Sequence, residues 1–379
     1  VECCVNPTPY TLHPKLFRMK TLVFTVTNEL TFDQRMIRIC TSLAAAGYSV
    51  TLIGVKRPGH PPPAPQPFRQ RRLYCFFQHG KGFYIEYNLR LFFCLLFTGA
   101  DLICSIDLDT ILPGYLVSRL KGTRRVYDAH ELFCEMKEVV TRPRIHRFWK
   151  WIERNTVPRY KYGYTVNEPI AAEFRRMYGV QYAVVRNAPV LQPLTIPPKP
   201  EKYILYQGAV NEGRSFETLI PAMQWVPVPL IVCGYGNFME QARNLVKKYG
   251  LQQKVIFRGM VPPQELRAIT EKAWIGLTLF ENKGQSNYYS LANRFFDYMH
   301  AGVPQLCVDY PVYKEINNKY GIAVLLIDLS PEAIAQGLNS LLNDQPLYDS
   351  LQRNCLEARE VINWQEEEKI LLAFYANIL

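Results

Sequence analysis

The chain has 379 residues, 48% apolar and 20% charged, with a net charge of +11. That length exceeds what one hydrophobic core serves and predicts two domains, and the composition excludes a chain dominated by disorder. The charge is uneven: residues 1–195 hold 27 Lys+Arg against 14 Asp+Glu, the remainder 17 against 19, so the first half alone seeks an anionic partner.

The first 18 residues precede the first strand and read as an N-terminal extension. No secretory signal is visible, and the longest apolar run, "LFFCLLF", is far short of the ~20 residues of a membrane-spanning helix. The ten cysteines are scattered through apolar stretches with no CxxC pair, which predicts reduced, buried thiols in a cytoplasmic protein and no zinc site.

"TLVFTVT" (21–27) reads as a buried strand. "FDQRMIRICTSLAAAG" places Met36, Ile39, Cys40 and Leu43 at helical spacing before Gly47, and "YSVTLIGV" makes a second strand. This is the start of a parallel α/β layer. Residues 56–72, "KRPGHPPPAPQPFRQRR", are too rich in proline for regular structure and read as a loop with basic ends. Alternation resumes with "ADLICSI", "TILPGYLVSRLKG" and "RRVYDAH". The Asp-x-Asp of "IDLDT" is a candidate metal pair, but its place at a helix start makes Asp109 an N-cap, and no metal is expected. "RPRIHRFWKWIERNTVPRYK" is basic and aromatic: either a cytoplasmic membrane surface or a solvated helix whose Phe148 and Trp151 face the core. Aromatics at helical spacing argue against nucleic acid.

After a proline-rich linker at 191–202 the pattern restarts with "YILYQGAV", and strands at "PLIVCG", "KVIFRG", "IGLTLF" and "PQLCVD" alternate with helices. Two doubly wound, Rossmann-like parallel-sheet domains facing each other across a cleft are expected, residues 19–190 and 203–361, with 362–379 a helix crossing back to the first. Ligands of such sheets sit beyond the carboxyl ends of the strands. There Gly208, Gly213, Gly234, Gly236 and Gly259 allow a close backbone approach, and Arg214 suits a phosphate.

The segment "NYYSLANRFFDYMHAGVPQLCVD" predicts a helix over 291–300. Leu291, Ala292, Phe295, Phe296, Tyr298 and Met299 form an apolar arc, with Asn293, Asp297 and His300 within about 60° of one another and Arg294 at their edge. Ser290 is placed as N-cap, where free amides attract an anion; a diphosphate there leaves an attached ribose within reach of the Asp297 carboxylate. His300 is positioned to assist the helix C-terminus.

These residues resemble the donor-site segment of glycosyltransferase family 4, of GT-B fold, and the resemblance continues through "YQGAVNEGRSFETLIPAM", "VIFRGMVPPQEL" and "NWQEEEKILLAFY", covering most of residues 20–379. It implies retaining transfer of a sugar from a nucleotide-diphosphate donor to an acceptor hydroxyl, without a metal or other cofactor. Gly208 and Arg214 would contact the diphosphate, Met260 and Val261 the base, the Ser290 and Leu291 amides a phosphate, and Asp297 the ribose. "YDAHE" would turn His130 toward the transferred sugar. His130, Arg214 and Asp297 are thus the candidate catalytic residues, with Gly234, Gly236, Asn293 and Arg294 completing the donor site. A lipid-linked or other sugar acceptor would place the enzyme in cell-surface polysaccharide or glycolipid assembly. The chain departs from the family pattern at Tyr289, where relatives carry a glutamate. A nucleotide-sugar epimerase, or a membrane-associated binding protein without catalysis, are the alternatives. Asn28, Glu29, Asp33 and Arg35 of the first loop either meet the acceptor or cap the helix.

Overall fold

A computed structural model describes residues 19–379 apart from 32, 60, 61, 200 and 283; the expected extension over 1–18, with Cys3 and Cys4, lies outside the described residues. Strands β1 (Thr21–Thr25), β2 (Ser49–Lys56), β3 (Arg69–Tyr74), β4 (Leu102–Ile106), β5 (Arg124–Ala129), β6 (Tyr162–Thr165) and β7 (Ala183–Val184) form one sheet in the order β3-β2-β1-β4-β5-β6-β7, every pairing parallel. Their helices are α1 (Gln34–Ala45), α2 (Gly80–Leu96), α3 (Leu108–Lys121), the single turn α4 (Lys137–Val140), α5 (Pro143–Thr156) and α6 (Glu168–Tyr178).

The second sheet, β8 (Ile204–Gln207), β9 (Leu230–Cys233), β10 (Val255–Gly259), β11 (Ile275–Thr278), β12 (Gln305–Val308) and β13 (Ala323–Leu326), runs β10-β9-β8-β11-β12-β13, again all parallel. It is wrapped by α7 (Phe216–Ala222), α8 (Met239–Lys248), α9 (Pro263–Lys272), α10 (Gln285–Tyr288), α11 (Asn293–His300), α12 (Pro311–Tyr320), α13 (Pro331–Asn343) and α14 (Gln345–Val361). In both sheets the first strand is central and the order reverses beside it, the arrangement of two Rossmann-like domains.

Alternation in the strands sorts the layers. Leu22 and Phe24 of β1 face α1 and the last helix, α15 (Trp364–Ile378), whose Leu371 and Tyr375 complete that core. Val23 faces the other way, onto Phe83, Tyr87 and Leu91 of α2 and Val117 of α3. Next to these, Ile111 of α3 and Ile152 of α5 pack with Tyr127 of β5, so α2, α3 and α5 share one face of the sheet. The last helix is tied to the first domain: Trp364 Nε1 donates to Ser42 Oγ at 2.9 Å, and the Tyr164 and Tyr375 hydroxyls lie 3.3 Å apart.

Two elements depart from expectation. Residues 69–72, read as loop, begin β3, an edge strand pairing only with β2, and α2 follows where no helix was expected. The eight described cysteines are all buried and free. Among the described residues no helix is long and apolar enough to cross a membrane.

Candidate active site

The carboxyl ends of the two sheets face each other, bridged by Lys137–Glu212 at 3.1 Å, Ser286 Oγ donating to Glu131 at 3.3 Å, Asn187 Nδ2 donating to Asn293 Oδ1 at 2.7 Å, and Asn167 Nδ2 donating to the Tyr289 carbonyl at 2.8 Å. Tyr289 itself packs against a hydrophobic cluster of the first domain, so the position where the resemblance implies a carboxylate holds a domain contact in this chain.

On the second domain two arginines converge. Arg294, near the start of α11, is buried with Nη1 against the Tyr206 hydroxyl (3.2 Å) and the Gln207 carbonyl (3.3 Å), its guanidinium 4.6 Å from the Tyr206 ring centroid. Arg214, after β8, lies against Phe280, and both guanidinium carbons sit 4.5 Å from that ring's centroid. Burial lowers the pKa of Arg214, and the like charge of Arg294 lowers it further. Among the described residues no carboxylate forms an ion pair with either. Two close cations without an anionic partner make an anion site. Gly208 opens it: at φ +124° a Cβ there would lie 3.1 Å from Arg294 Nη1.

Gly234 and Gly236 serve the loops themselves. A Cβ on Gly234 would fall 1.8 Å from the Gly208 carbonyl oxygen, and one on Gly236 2.3 Å from the Val210 carbonyl oxygen, so the close approach these glycines allow is of one βα loop to another.

Helix α11 starts at Asn293, two residues later than expected. Its N-cap is Ala292, whose amide donates to the Tyr313 hydroxyl at 2.9 Å, and Ser290 instead closes a turn, donating from both N (3.2 Å) and Oγ (2.8 Å) to the Asn287 carbonyl. The Ser290 amide is therefore engaged. Leu291 is nearly buried and packs with the second core.

Asp297 and Asn293 line a cavity of about 700 Å³ between the domains, with Val261, Gln207 and, from the first domain, Arg38. Met260, beside Val261, is 75% exposed. Desolvation pushes the Asp297 carboxyl up to about 6, against the pull of Arg38 and of the Gln207 amide. His300 also borders this cavity, but its ring is bonded to the Ile362 carbonyl at 2.8 Å and burial holds it down to about 4; it is neutral and adds no charge at the helix C-terminus.

The first domain contributes a charged cluster at the ends of β4 and β5. His130 Nδ1 lies 3.3 Å from Asp107 and Nε2 3.2 Å from Asp128, the second a charge contact without hydrogen-bond alignment. Burial opposes protonation of His130, but Asp107 and Asp128 prevail and raise it to about 9, so the ring is an imidazolium. Asp128, fully buried, is also paired with Arg35 at 3.0 Å. Asp107 holds φ +53° at the strand-to-helix turn and accepts the His130 amide at 2.9 Å. Burial and the Asp107 charge push Glu131 up to about 7.

Asp109 is not the N-cap of α3 but its second residue, buried and accepting from Thr27 Oγ1 at 2.5 Å. In the first loop Asp33 caps α1, Glu29 pairs with Arg72 at 3.3 Å, and Arg35 holds Asp128. Among the described residues no group of three His, Cys, Asp or Glu is arranged to hold a metal ion.

Sequence reasoning missed Gln207, Arg38 and Tyr313, and considered Asp107 only as half of a metal pair. Gln207 ends β8 directly before Gly208, which is a usable signal; Arg38 and Tyr313 are brought in by tertiary packing alone.

This pair of Rossmann-like parallel-sheet domains, with two converging arginines on the second facing a charged cluster on the first, is the GT-B fold of glycosyltransferases. The description "Glycosyl transferases group 1" matches residues 193–357 and "Glycosyltransferase Family 4" residues 34–188, and the chain belongs to the family 4 type of glycosyltransferases. No curated protein matches it by sequence. Among solved structures it is similar to sucrose-phosphate synthase from Thermosynechococcus elongatus (17% identity, TM-score 0.79, 95% of this chain and 99% of that one). It is also similar to Anabaena HepE in complex with UDP-glucose (11%, 0.74, 94% and 99%), and to WaaG, a glycosyltransferase involved in lipopolysaccharide biosynthesis (16%, 0.69, 92% and 98%). At these identities the likeness concerns the fold.

Proposed function

We propose that the protein moves a sugar from a nucleoside-diphosphate donor to an acceptor hydroxyl, with retention at the anomeric carbon, in polysaccharide or glycolipid assembly. The observation that carries this reading is the pair Arg214 and Arg294 on one Phe280 ring, without a carboxylate partner and opening toward the cleft at Gly208. A diphosphate seated there relieves the repulsion between the two cations. It also leaves the nucleoside to extend toward Asp297 and the Val261 side of the cavity, and the sugar toward His130.

In the transfer the bond from the anomeric carbon to the diphosphate oxygen breaks and one to the acceptor oxygen forms. The proton released by the acceptor hydroxyl goes to the departing phosphate oxygen. Charge growing on the diphosphate is met by the guanidinium groups of Arg214 and Arg294, which supply that compensation without a metal. His130, held protonated by two carboxylates, brings positive charge to the sugar side of the cleft and does not act as a base. Since HepE was solved with UDP-glucose, uridine nucleotides are the first donors to assay. The test is release of nucleoside diphosphate from a panel of nucleotide sugars with carbohydrate and lipid-extract acceptors; binding without any turnover would favour a protein that kept the site but not the reaction.

A further inference from the structure

The layer formed by α2, α3 and α5 is finished toward solvent with apolar side chains. Along α2 and its C-cap, Ile85, Leu89, Phe93 and Phe97 recur every four residues and all are exposed, Phe97 to 84%. Leu116 and Leu120 are exposed on the adjoining α3, and Phe148 and Trp151 on α5, which corrects the reading that placed those two rings in the core.

At the cleft end of α2, Phe76 and Phe77 stand out from the loop after β3, Phe76 to 72%. That loop is fixed. The Glu86 carboxylate accepts the Phe76 and Phe77 amides at 3.0 and 2.9 Å, Arg90 Nε donates to it at 2.8 Å, and the Arg90 guanidinium lies 5.3 Å from the Phe76 ring centroid. Two phenylalanines are thus held in solvent by ties made to their own backbone. Folded chains rarely expose so much contiguous apolar surface without an occupant.

Charge chooses the occupant. The three helices carry eight Lys or Arg and three acidic residues, and of the acids Asp109 and Glu153 are buried while Glu86 is engaged. What faces outward is Lys81, Arg119, Arg144, Arg147 and Arg154, while the Lys121 ammonium caps the end of α2 on the Leu95, Leu96 and Thr98 carbonyls. A two-fold contact with a second copy would set this cationic face against itself.

We infer that this face docks on an anionic lipid bilayer, with the α2 stripe and the Phe76–Phe77 loop entering the headgroup boundary and the cations on lipid phosphates. Because α2 runs from the carboxyl edge of the sheet to the opposite edge, the two phenylalanines meet the membrane at the mouth of the cleft. The consequence that a lipid-borne acceptor is delivered there rests on the proposed transfer reaction; the docking itself does not.

The experiment is co-sedimentation of the full chain with phosphatidylcholine vesicles, with and without phosphatidylglycerol, at low and high salt, beside nucleotide titration of the same protein. The wild type is expected to bind only the anionic vesicles and to be released by salt. The double variant Phe93→Ser/Phe97→Ser should bind at least about tenfold more weakly, and Phe76→Ser measurably so, both with unchanged nucleotide affinity. The proposal is overturned if anionic vesicles do not bind, if the variants bind as the wild type does, or if light scattering finds a dimer that the double variant dissolves. Failed vesicle binding with intact nucleotide binding removes the docking alone, and vesicle binding without nucleotide binding removes the transfer reading alone.

Discussion

Gln207 donates a hydrogen bond from Nε2 to Asp297 at 2.8 Å, with its Oε1 2.7 Å from Thr270 Oγ1, and the carboxylate, an acceptor when ionised, fixes which end of the amide faces it. The contact spans from the end of β8 to the middle of α11 and holds Asp297 where the cavity between the domains is lined.

A pH dependence of donor binding follows. A carboxyl raised by burial favours protonation in the empty site, whereas a ribose clamp must be ionised to accept two hydroxyls. Nucleotide-sugar affinity should therefore be level above pH of about 6 and fall with decreasing pH by up to about tenfold per unit. Calorimetric titration with a nucleotide sugar, whose diphosphate does not titrate in that range, measures this. Asp297→Asn should bind more weakly and without the dependence, and a slope persisting in that variant would assign it to another group.

The two arginines should separate by what else they do. Arg214→Ala is expected to lower turnover by about 10²–10³-fold, the scale of losing one donor to a developing anion, with little change in melting temperature. Arg294→Ala should reduce both turnover and stability, since its guanidinium also bonds the Tyr206 hydroxyl and the Gln207 and Leu279 carbonyls. Turnover assays beside thermal melts distinguish the two patterns.

His130 gives a stability signature on the alkaline side. Its folded value, about 9, is above the ordinary 6.5, so its contribution is complete below pH 6.5 and is lost as pH rises through about 9. Wild-type melting temperature should drop by roughly 5 °C across that window beyond the change seen in His130→Gln, which should begin lower and stay flatter. Equal slopes for the two proteins would show that the imidazolium is not held as described.

Trp364 couples chain ends that are far apart in sequence. Its ring is buried beside α1 and bonded to Ser42, so Trp364→Ala should cost about 3–5 kcal/mol and destabilise the first domain although the residue follows the second. Hydrogen exchange should show the loss in β1 and α1. Gly234→Ala should impair the donor loops themselves, since the added Cβ meets the Gly208 carbonyl at 1.8 Å on a backbone with φ +147°.

The alternation of strands and helices was readable because most elements bury one face and so keep a regular period. β3 and α2 were not. β3 is a polar edge strand, and α2 carries apolar residues on its outer face as well as its inner one, which erases the periodic contrast on which helix recognition depends. The apolar stripe that hid α2 in the sequence is the same one that marks a docking face in the structure. Arg214, Arg294 and Asp297 were singled out from spacing and resemblance as donor-site candidates, and the structure sets the two arginines on one Phe280 ring and Asp297 on the cavity between the domains. The Ser290 cap was misplaced because the residue that receives the Ala292 amide is Tyr313, twenty-one residues further along and on another helix. Local sequence does not encode that contact. The protonated state of His130 likewise depends on Asp107, which joins it from a different strand.

The central claim, a diphosphate held between Arg214 and Arg294, is tested most directly by calorimetric titration of the wild type and Arg214→Ala with UDP, GDP and ADP. At least one nucleoside diphosphate should bind the wild type and bind the variant at least about tenfold more weakly. Absence of binding by all three, or equal affinity for both proteins, would contradict the account.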